Sequence, residues 1–116
     1  MKKLFPLLII TLFFFNCTSD STDDLTTPTP TVATYNDNVK SIIDQSCATS
    51  GCHNATSNTA GLTLETFTQV KNAFINSNAL GRIESTSSPM PPNGNLPNTS
   101  IQIIKDWKNQ GYLESN

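Results

Sequence analysis

One short motif, CATSGCH from Cys47 to His53, stands out in this sequence, because it gathers two of the three cysteines and the one histidine. The chain has 116 residues, and the part of it that can fold is smaller still. A domain of about 80 residues buries little apolar surface, so it often depends on a disulfide, a metal or a cofactor for stability. CATSGCH is the place in this chain where such a group can be held.

Two cysteines followed directly by a histidine are the signature of covalent c-type haem attachment. Each thiol forms a thioether with a haem vinyl group, and the adjacent imidazole becomes an axial ligand of the iron. The usual motif has two residues between the cysteines, whereas four residues separate Cys47 from Cys52 here. The spacer must therefore bulge outward, and its small residues, Gly51 above all, make that bulge sterically easy. We expect one covalent haem c on this chain.

Three other interpretations of the motif remain open from the sequence. A Cys47–Cys52 disulfide without haem suits an exported protein. A zinc site needs a fourth ligand beside Cys47, Cys52 and His53, and the sequence offers no obvious one. A thiol redox centre of the C-x-x-C kind is disfavoured by the spacing.

The N-terminus has the pattern of an export signal. Two lysines precede the apolar run Leu4–Phe15, whose 12 residues fall short of the roughly 20 that span a bilayer. Cys17 follows, where bacterial lipoproteins carry their lipidated cysteine, although Phe14 and Asn16 depart from the usual residues before it. We predict a signal peptide at 1–16 and a lipid on Cys17, which anchors the mature protein to a bacterial membrane on its periplasmic or cell-surface side. An uncleaved membrane anchor and an unlipidated cysteine are the alternatives.

Residues 17–34 are predicted to form a disordered tether. The segment that follows Cys17 is rich in Ser, Thr, Asp and Pro, and it has too little apolar surface to offset the entropy of ordering it. The folded domain is therefore expected at 35–116. The formal net charge of the whole chain is −2, and loss of the two leader lysines makes it more acidic. This charge argues against a nucleic-acid partner, because nucleic-acid binding needs a basic face.

Apolar residues at helical spacing predict three helices in the domain. The first helix has the apolar face Val39, Ile42 and Ile43, with Asn36 or Asp37 as its N-cap. The second has Leu64, Phe67, Val70 and Phe74, with Thr63 as its N-cap. The third has Ile101, Ile104 and Trp107; it begins near 98–100 and ends with Gly111 at C′. No segment alternates convincingly as a strand, so the predicted fold class is all-α.

Met90 is the only methionine besides Met1, and it lies in the sequence SPMPP. A lone methionine usually fills a gap in a core. Pro91 and Pro92, however, restrict the backbone and hold Met90 extended. A stiffened loop of this kind suits a metal ligand, because a thioether is a weak donor that must be positioned by the protein.

Taken in order along the chain, these features resemble a class I, cytochrome c-like domain of the small exported bacterial type. The likeness covers Tyr35 to Tyr112 and consists of a first helix leading into the Cys–Cys–His site, a GLTLETF segment, an LGRI segment before an MPP loop, and a last helix with Ile, Trp and a closing Gly-Tyr. The resemblance implies a small helical domain built around one haem.

The resemblance also implies a role for individual residues. His53 is the proximal iron ligand and Met90 the distal one, Cys47 and Cys52 form the thioethers, Arg82 pairs with a haem propionate, and Tyr35 and Trp107 lie near the crossing of the first and last helices. If Met90 is not the sixth ligand, Lys71 and Lys105 are the fallback ligands within the chain.

The function implied by this resemblance is one-electron transfer outside the cytoplasm. With both axial positions of the iron filled there is no open position for a small-molecule substrate, so we expect a carrier and not an enzyme. The expected partners are the membrane, through the lipid, and redox partner proteins. The alternative is a haem-free exported binding or structural lipoprotein with a Cys47–Cys52 disulfide. A peroxidase-like enzyme requires Met90 to leave the iron, and the sequence has no second histidine for acid–base chemistry.

Overall fold

The computed structural model describes residues 32–116, and this part of the chain is helical. A π-helical turn, Tyr35–Val39, runs directly into α1, Lys40–Ser46; a 3₁₀ turn, Thr59–Gly61, precedes α2, Phe67–Asn76; α3, Ala79–Ile83, and α4, Asn98–Asn109, follow. Helical residues make up 49% of the described chain and no sheet occurs within it, which confirms the all-α class. None of the helices between residues 32 and 116 is long and apolar enough to cross a membrane.

The folded unit begins at Ala33, two residues earlier than the sequence predicts. Ala33 and Thr34 are buried, and the Ala33 N–H donates to Oε1 of Gln110 at 2.8 Å. Thr34 is the N-cap of the first helix in place of Asn36 or Asp37, because its hydroxyl accepts the Asp37 N–H at 3.2 Å. The predicted signal peptide, the lipidated cysteine and most of the tether lie outside the described residues.

The C-terminal tail supplies the remaining caps of the first helix. The N–H groups of Tyr35 and Asn36 donate to the carbonyls of Leu113 and Glu114, at 2.9 and 3.0 Å. The first N–H groups of a helix have no partner inside it, so these bonds satisfy donors that are otherwise left unpaired. The Leu113 carbonyl also accepts Nε1–H of Trp107 at 2.8 Å. One carbonyl oxygen thereby ties the first helix to the last.

The end of α4 turns the tail into this position. Gly111 is the C′ residue, as predicted, with φ +86°. Its N–H donates to Lys108 and that of Tyr112 donates to Trp107, at 3.1 and 2.9 Å, which is a Schellman motif. Tyr112 is also left-handed, with φ +62°, an uncommon conformation for a bulky residue. The two left-handed residues together reverse the chain, so that the Leu113 carbonyl meets the Trp107 indole.

The core lies between the first helix, α2 and α4. Its buried apolar residues are Ala33, Tyr35, Val39, Ile43, Leu64, Val70, Ala73, Phe74, Ile83, Leu96, Ile104 and Trp107. Trp107 is at the centre, with the rings of Phe74 and Tyr112 edge-on to it at 5.6 and 4.9 Å between centroids. The Tyr35 ring is 6.3 Å from Trp107, so these two residues lie where the first and last helices meet, as expected.

α2 begins at Phe67, later than its apolar pattern suggests. Thr66 and Gln69 form a capping box, in which the Thr66 hydroxyl accepts the Gln69 N–H and the Gln69 side chain accepts the Thr66 N–H. Thr63 is therefore not the N-cap. Leu64 is buried, but it precedes the helix and reaches the core from extended chain.

We expect deletion of residues 113–116 to destabilise the domain. It removes the acceptors of the Tyr35, Asn36 and Trp107 donors described above, and the loss of three such bonds lowers the free energy of unfolding by about 2–4 kcal/mol. Urea titration followed by tryptophan fluorescence measures the change. Deletion of residues 115–116 alone is the control and should have almost no effect, because both residues are exposed. Equal stability of the two truncated chains would contradict the proposed role of the tail.

Candidate functional site

One cavity brings together the candidate residues that the sequence singles out. Cys47, Cys52, His53, Arg82 and Met90 all line it, and its volume is about 520 Å³. This size suits a bulky organic ligand or cofactor. The other lining residues are mostly small or apolar: Ile43, Ser46, Gly51, Thr59, Ala60, Gly61, Leu62, Leu64, Phe74, Ser77, Ala79, Ile83, Pro91 and Pro92. Arg82 is the one Lys, Arg, Asp or Glu among the described lining residues.

His53 is held firmly at one wall of the cavity. Its N–H donates to the Cys47 carbonyl at 3.0 Å, and its own carbonyl accepts the Leu64 N–H at 2.8 Å. Nδ1 of the ring lies 3.1 Å from the carbonyl oxygen of Leu62. A carbonyl can only accept, so in the neutral ring Nδ1 carries the proton and Nε2 keeps its lone pair. When Nε2 of an imidazole binds a metal, a hydrogen bond from Nδ1 to a carbonyl is the kind of contact that orients the ring and tunes its donor strength.

The two cysteines of the motif are free thiols, and both are partly buried. Cys47 caps the C-terminus of α1, where its N–H donates to the Ile43 carbonyl at 2.8 Å. Burial, with a smaller contribution from neighbouring Cys52, raises the pKa of the Cys47 thiol to about 11. The thiol is therefore protonated at neutral pH and poorly nucleophilic until another group activates it.

The second half of the spacer between the cysteines is exposed, which is compatible with the predicted outward bulge. Ser50 and Gly51 are exposed, and the Cys52 N–H donates back to the Thr49 carbonyl at 3.0 Å. Gly51 has φ +82°, a left-handed conformation that favours glycine, although a Cβ there would meet nothing within 4 Å. Glycine is needed at this position for its backbone conformation, and not for lack of space.

Met90 reaches the cavity from the loop after α3. Its N–H donates to the carbonyl of Arg82 at 2.9 Å, so the backbone of Arg82 positions Met90 while the Arg82 side chain lines the cavity. Sequence reasoning did not find this role, because it did not find α3. α3 has only five residues, Ala79–Ile83, and a helix this short is not marked by apolar periodicity.

The two fallback lysines are placed elsewhere. Nζ of Lys105 pairs with the carboxylate of Glu84 at 3.0 Å, which links α4 to the end of α3. Nζ of Lys71 lies over the Phe67 ring, 5.5 Å from its centroid. Neither lysine lines the cavity. Met90 is therefore the better-placed candidate for a distal ligand.

The donors along the cavity fit a covalently bound haem better than a bare metal ion. No group of three His, Cys, Asp and Glu side chains suited to a metal ion occurs among residues 32–116, so the zinc interpretation gains no support. The cavity instead offers an imidazole with an available Nε2, a thioether sulfur, two thiols and mostly apolar walls. These are the groups that a covalent, His/Met-ligated haem requires.

Comparison with known proteins gives no match for this chain, whether to a protein-family model, to a curated protein or to a solved structure. The interpretation of the site therefore depends on its own residues and geometry.

The raised pKa of Cys47 predicts a slow thiol in the haem-free protein. In a chain that begins at residue 18 and carries Cys52→Ser, Cys47 is the only thiol. The pKa of the Cys47 thiol is about 11 in the native chain against an ordinary value of 9.0, and burial, the larger cause, remains in the Cys52→Ser chain. At pH 8 we therefore expect iodoacetamide to react on the order of 10- to 100-fold more slowly with the folded chain than with the chain in urea.

The same difference predicts how stability changes with pH. The folded state keeps the Cys47 proton that the unfolded state releases, so the free energy of unfolding should fall as the pH rises from about 9 to 11. Cys47→Ser in the same chain should show a smaller decrease, and Tyr35, whose pKa is also raised by burial, contributes to the part that remains. Equal alkylation rates in the folded and urea-unfolded chains would show that Cys47 is not desolvated.

Proposed function

We propose that this protein is a c-type cytochrome lipoprotein, which carries single electrons outside the cytoplasm through one covalently attached haem. The observation that carries the proposal is the position of His53. Its Nδ1 is engaged by the Leu62 carbonyl, and its ring lines the same largely apolar cavity as Cys47, Cys52 and Met90. Two thiols, an imidazole and a thioether thus line one cavity of suitable size, although Cys47 and Met90 are 43 positions apart in the sequence.

Each residue has a distinct task in this proposal. Cys47 and Cys52 would hold the haem by thioether bonds, and Nε2 of His53 and the sulfur of Met90 would be the protein ligands of the iron. Arg82 would neutralise a propionate, since it is the charged side chain of the cavity lining. When bound, the haem supplies a one-electron Fe(III)/Fe(II) couple. The proposal implies a cytochrome c-like arrangement of the helices; it is supported by α1, which ends at Cys47, and by the packing of α4 against the first helix.

The surroundings favour a carrier of fairly high potential. A soft thioether ligand stabilises the reduced iron, and apolar walls disfavour the additional positive charge of the oxidised state. With both His53 and Met90 bound to it, the iron would have no open position for a substrate. We therefore propose a carrier that exchanges electrons with redox proteins and is held at a bacterial membrane by a lipid on Cys17.

The experiment that tests this function is expression of the full chain together with a c-type haem maturation system. We expect one haem that survives acid–acetone extraction, a pyridine haemochrome of the c type, and an intact mass that includes the haem. Cys47→Ala or Cys52→Ala should leave one thioether and lower the yield. A protein with the mass of the haem-free chain would contradict the proposal, and a mass two units lower still would indicate the disulfide-containing, haem-free alternative.

Met90→Ala in the loaded protein tests the distal ligand. We expect loss of the sulfur-to-iron charge-transfer band at the red end of the oxidised spectrum, and a potential lower by on the order of 100 mV, because the reduced iron loses a stabilising ligand. Spectroscopy and potentiometry measure the two effects. Lys105→Ala is the control and should leave both unchanged, because Lys105 pairs with Glu84 away from the cavity. If Met90→Ala leaves spectrum and potential unaltered, Met90 is a packing residue and the iron has another ligand.

A further inference from the structure

Side-chain hydroxyl groups form hydrogen bonds with both backbone polar groups of Gly51, its N–H and its carbonyl. The Gly51 N–H donates to Oγ of Ser57 at 2.8 Å, and the Gly51 carbonyl accepts from Oγ1 of Thr59 at 3.3 Å. Ser57 lies in the loop between His53 and the 3₁₀ turn, and Thr59 is the first residue of that turn. We call Ser57 and Thr59 the hydroxyl clamp.

The clamp residues are themselves fixed by the backbone around the motif. The Ser57 N–H donates to Oδ1 of Asn54 at 2.8 Å, and the Thr59 N–H donates to the Cys52 carbonyl at 3.1 Å. The two hydroxyl residues are therefore anchored to Cys52 and to Asn54, the residue that follows His53. They connect the most exposed part of the spacer to the part of the chain that positions the imidazole.

A glycine in this position can be ordered only through its backbone. Gly51 has no side chain to pack, nothing lies within 4 Å of where a Cβ would be, and glycine has the largest conformational freedom of any residue. A spacer of four residues also has more freedom than one of two. Hydrogen bonds to the N–H and the carbonyl of Gly51 restrict this conformational freedom at the glycine, the spacer residue that has most of it.

We propose that Ser57 and Thr59 are positioning residues, which set the four-residue spacer so that both thiols can attach to the same haem. The proposal rests on the function proposed above. In each attachment the S–H bond breaks and adds across a vinyl C=C, so that sulfur bonds to one carbon and the hydrogen goes to the other. Nothing is released, and no electrons are gained or lost overall.

The clamp acts on the second attachment more than on the first. The first thiol can react whatever the shape of the spacer. The second reaction is intramolecular, and its efficiency depends on how often the remaining thiol lies near the remaining vinyl group. Loss of the clamp therefore predicts a product with one thioether and one free thiol, and not simply less product.

The test is the Ser57→Ala/Thr59→Val double variant of the full chain, expressed with a c-type haem maturation system. Iodoacetamide labelling followed by intact mass counts the free thiols of the haem-containing product, and the haemochrome band reports the unsaturated vinyl group. We expect the ratio of one-thioether to two-thioether product to rise about fivefold or more, as follows from loss of even one hydrogen bond. An unchanged ratio in the double variant would overturn the proposal.

Two further variants separate positioning from a general effect on folding. Thr63→Val removes a hydroxyl that bonds Oδ1 of Asn58 at 3.3 Å, close by but away from the spacer, and should keep the wild-type ratio. Ser57→Thr/Thr59→Ser keeps both hydroxyls and should also keep it. If the double variant does not fold, Ser57→Ala alone decides the question, because it removes one bond to an exposed peptide.

A measurement on the haem-free chain keeps the clamp distinct from the haem. Amide hydrogen exchange should be faster at Gly51 in Ser57→Ala than in the wild type, and unchanged in Thr63→Val. If the wild type takes up no haem, the proposed function fails, and with it the role in attachment, whereas the exchange experiment still decides whether the clamp exists. If the wild type takes up haem through two thioethers and Gly51 exchange is unchanged in Ser57→Ala, only the clamp is refuted.

Discussion

The carbonyl oxygen of Leu113 is the acceptor on which the arrangement of the helices depends. It receives the first backbone N–H of the helical chain, from Tyr35, and the indole N–H of Trp107. The first helix continues without a break to Cys47, and Trp107 packs against Phe74, which is part of the cavity lining. One backbone group far along the chain thus fixes the positions of two walls of the site. This explains how so few buried side chains specify a definite geometry.

The cavity has two walls of very different construction. The wall that carries His53 is held by backbone bonds on both sides of the residue and by the bond from its ring. The wall that carries Met90 belongs to residues 84–95, none of which is buried, and Met90 is tied to the body through the Arg82 carbonyl. The protein therefore presents one donor whose residue is held by several hydrogen bonds and another whose residue is held to the body of the domain by its backbone N–H. A group held covalently beside His53 does not depend on Met90 to stay bound.

Spacing in the sequence predicted the helices well where apolar residues face a single core. Val39 with Ile43, Val70 with Phe74, and Ile104 with Trp107 are all buried as expected. The caps were harder to predict, because several neighbouring residues have suitable side chains and only the backbone decides among them. Thr34 and Thr66 cap the helices in place of Asn36 or Asp37 and Thr63. Leu64 falls in phase with the helical stripe, yet it reaches the core from extended chain, and periodicity alone does not separate the two cases.

The candidate site was predictable in its side chains but not in its backbone. Cys47, Cys52, His53, Arg82 and Met90 were recognisable by residue type and order, and the structure brings all five to one cavity. The groups that position them are largely main-chain atoms: the Leu62 carbonyl for His53 and the Arg82 carbonyl for Met90. Any residue can supply a carbonyl, so no pattern of side chains marks these positions. They become visible only when the path of the chain is known.

The hydrogen bonds from Ala33 to Gln110 and from Tyr35 to Leu113 bring the N-terminal and C-terminal ends of the folded unit together. A unit that starts and ends at the same place can be inserted into a surface loop of another protein without forcing that loop apart, and it can be circularly permuted with a short linker. It can also be repeated along a chain, with each copy hanging to one side of a continuous backbone. Because its two ends are adjacent, this small domain suits insertion into other proteins and repetition along a chain.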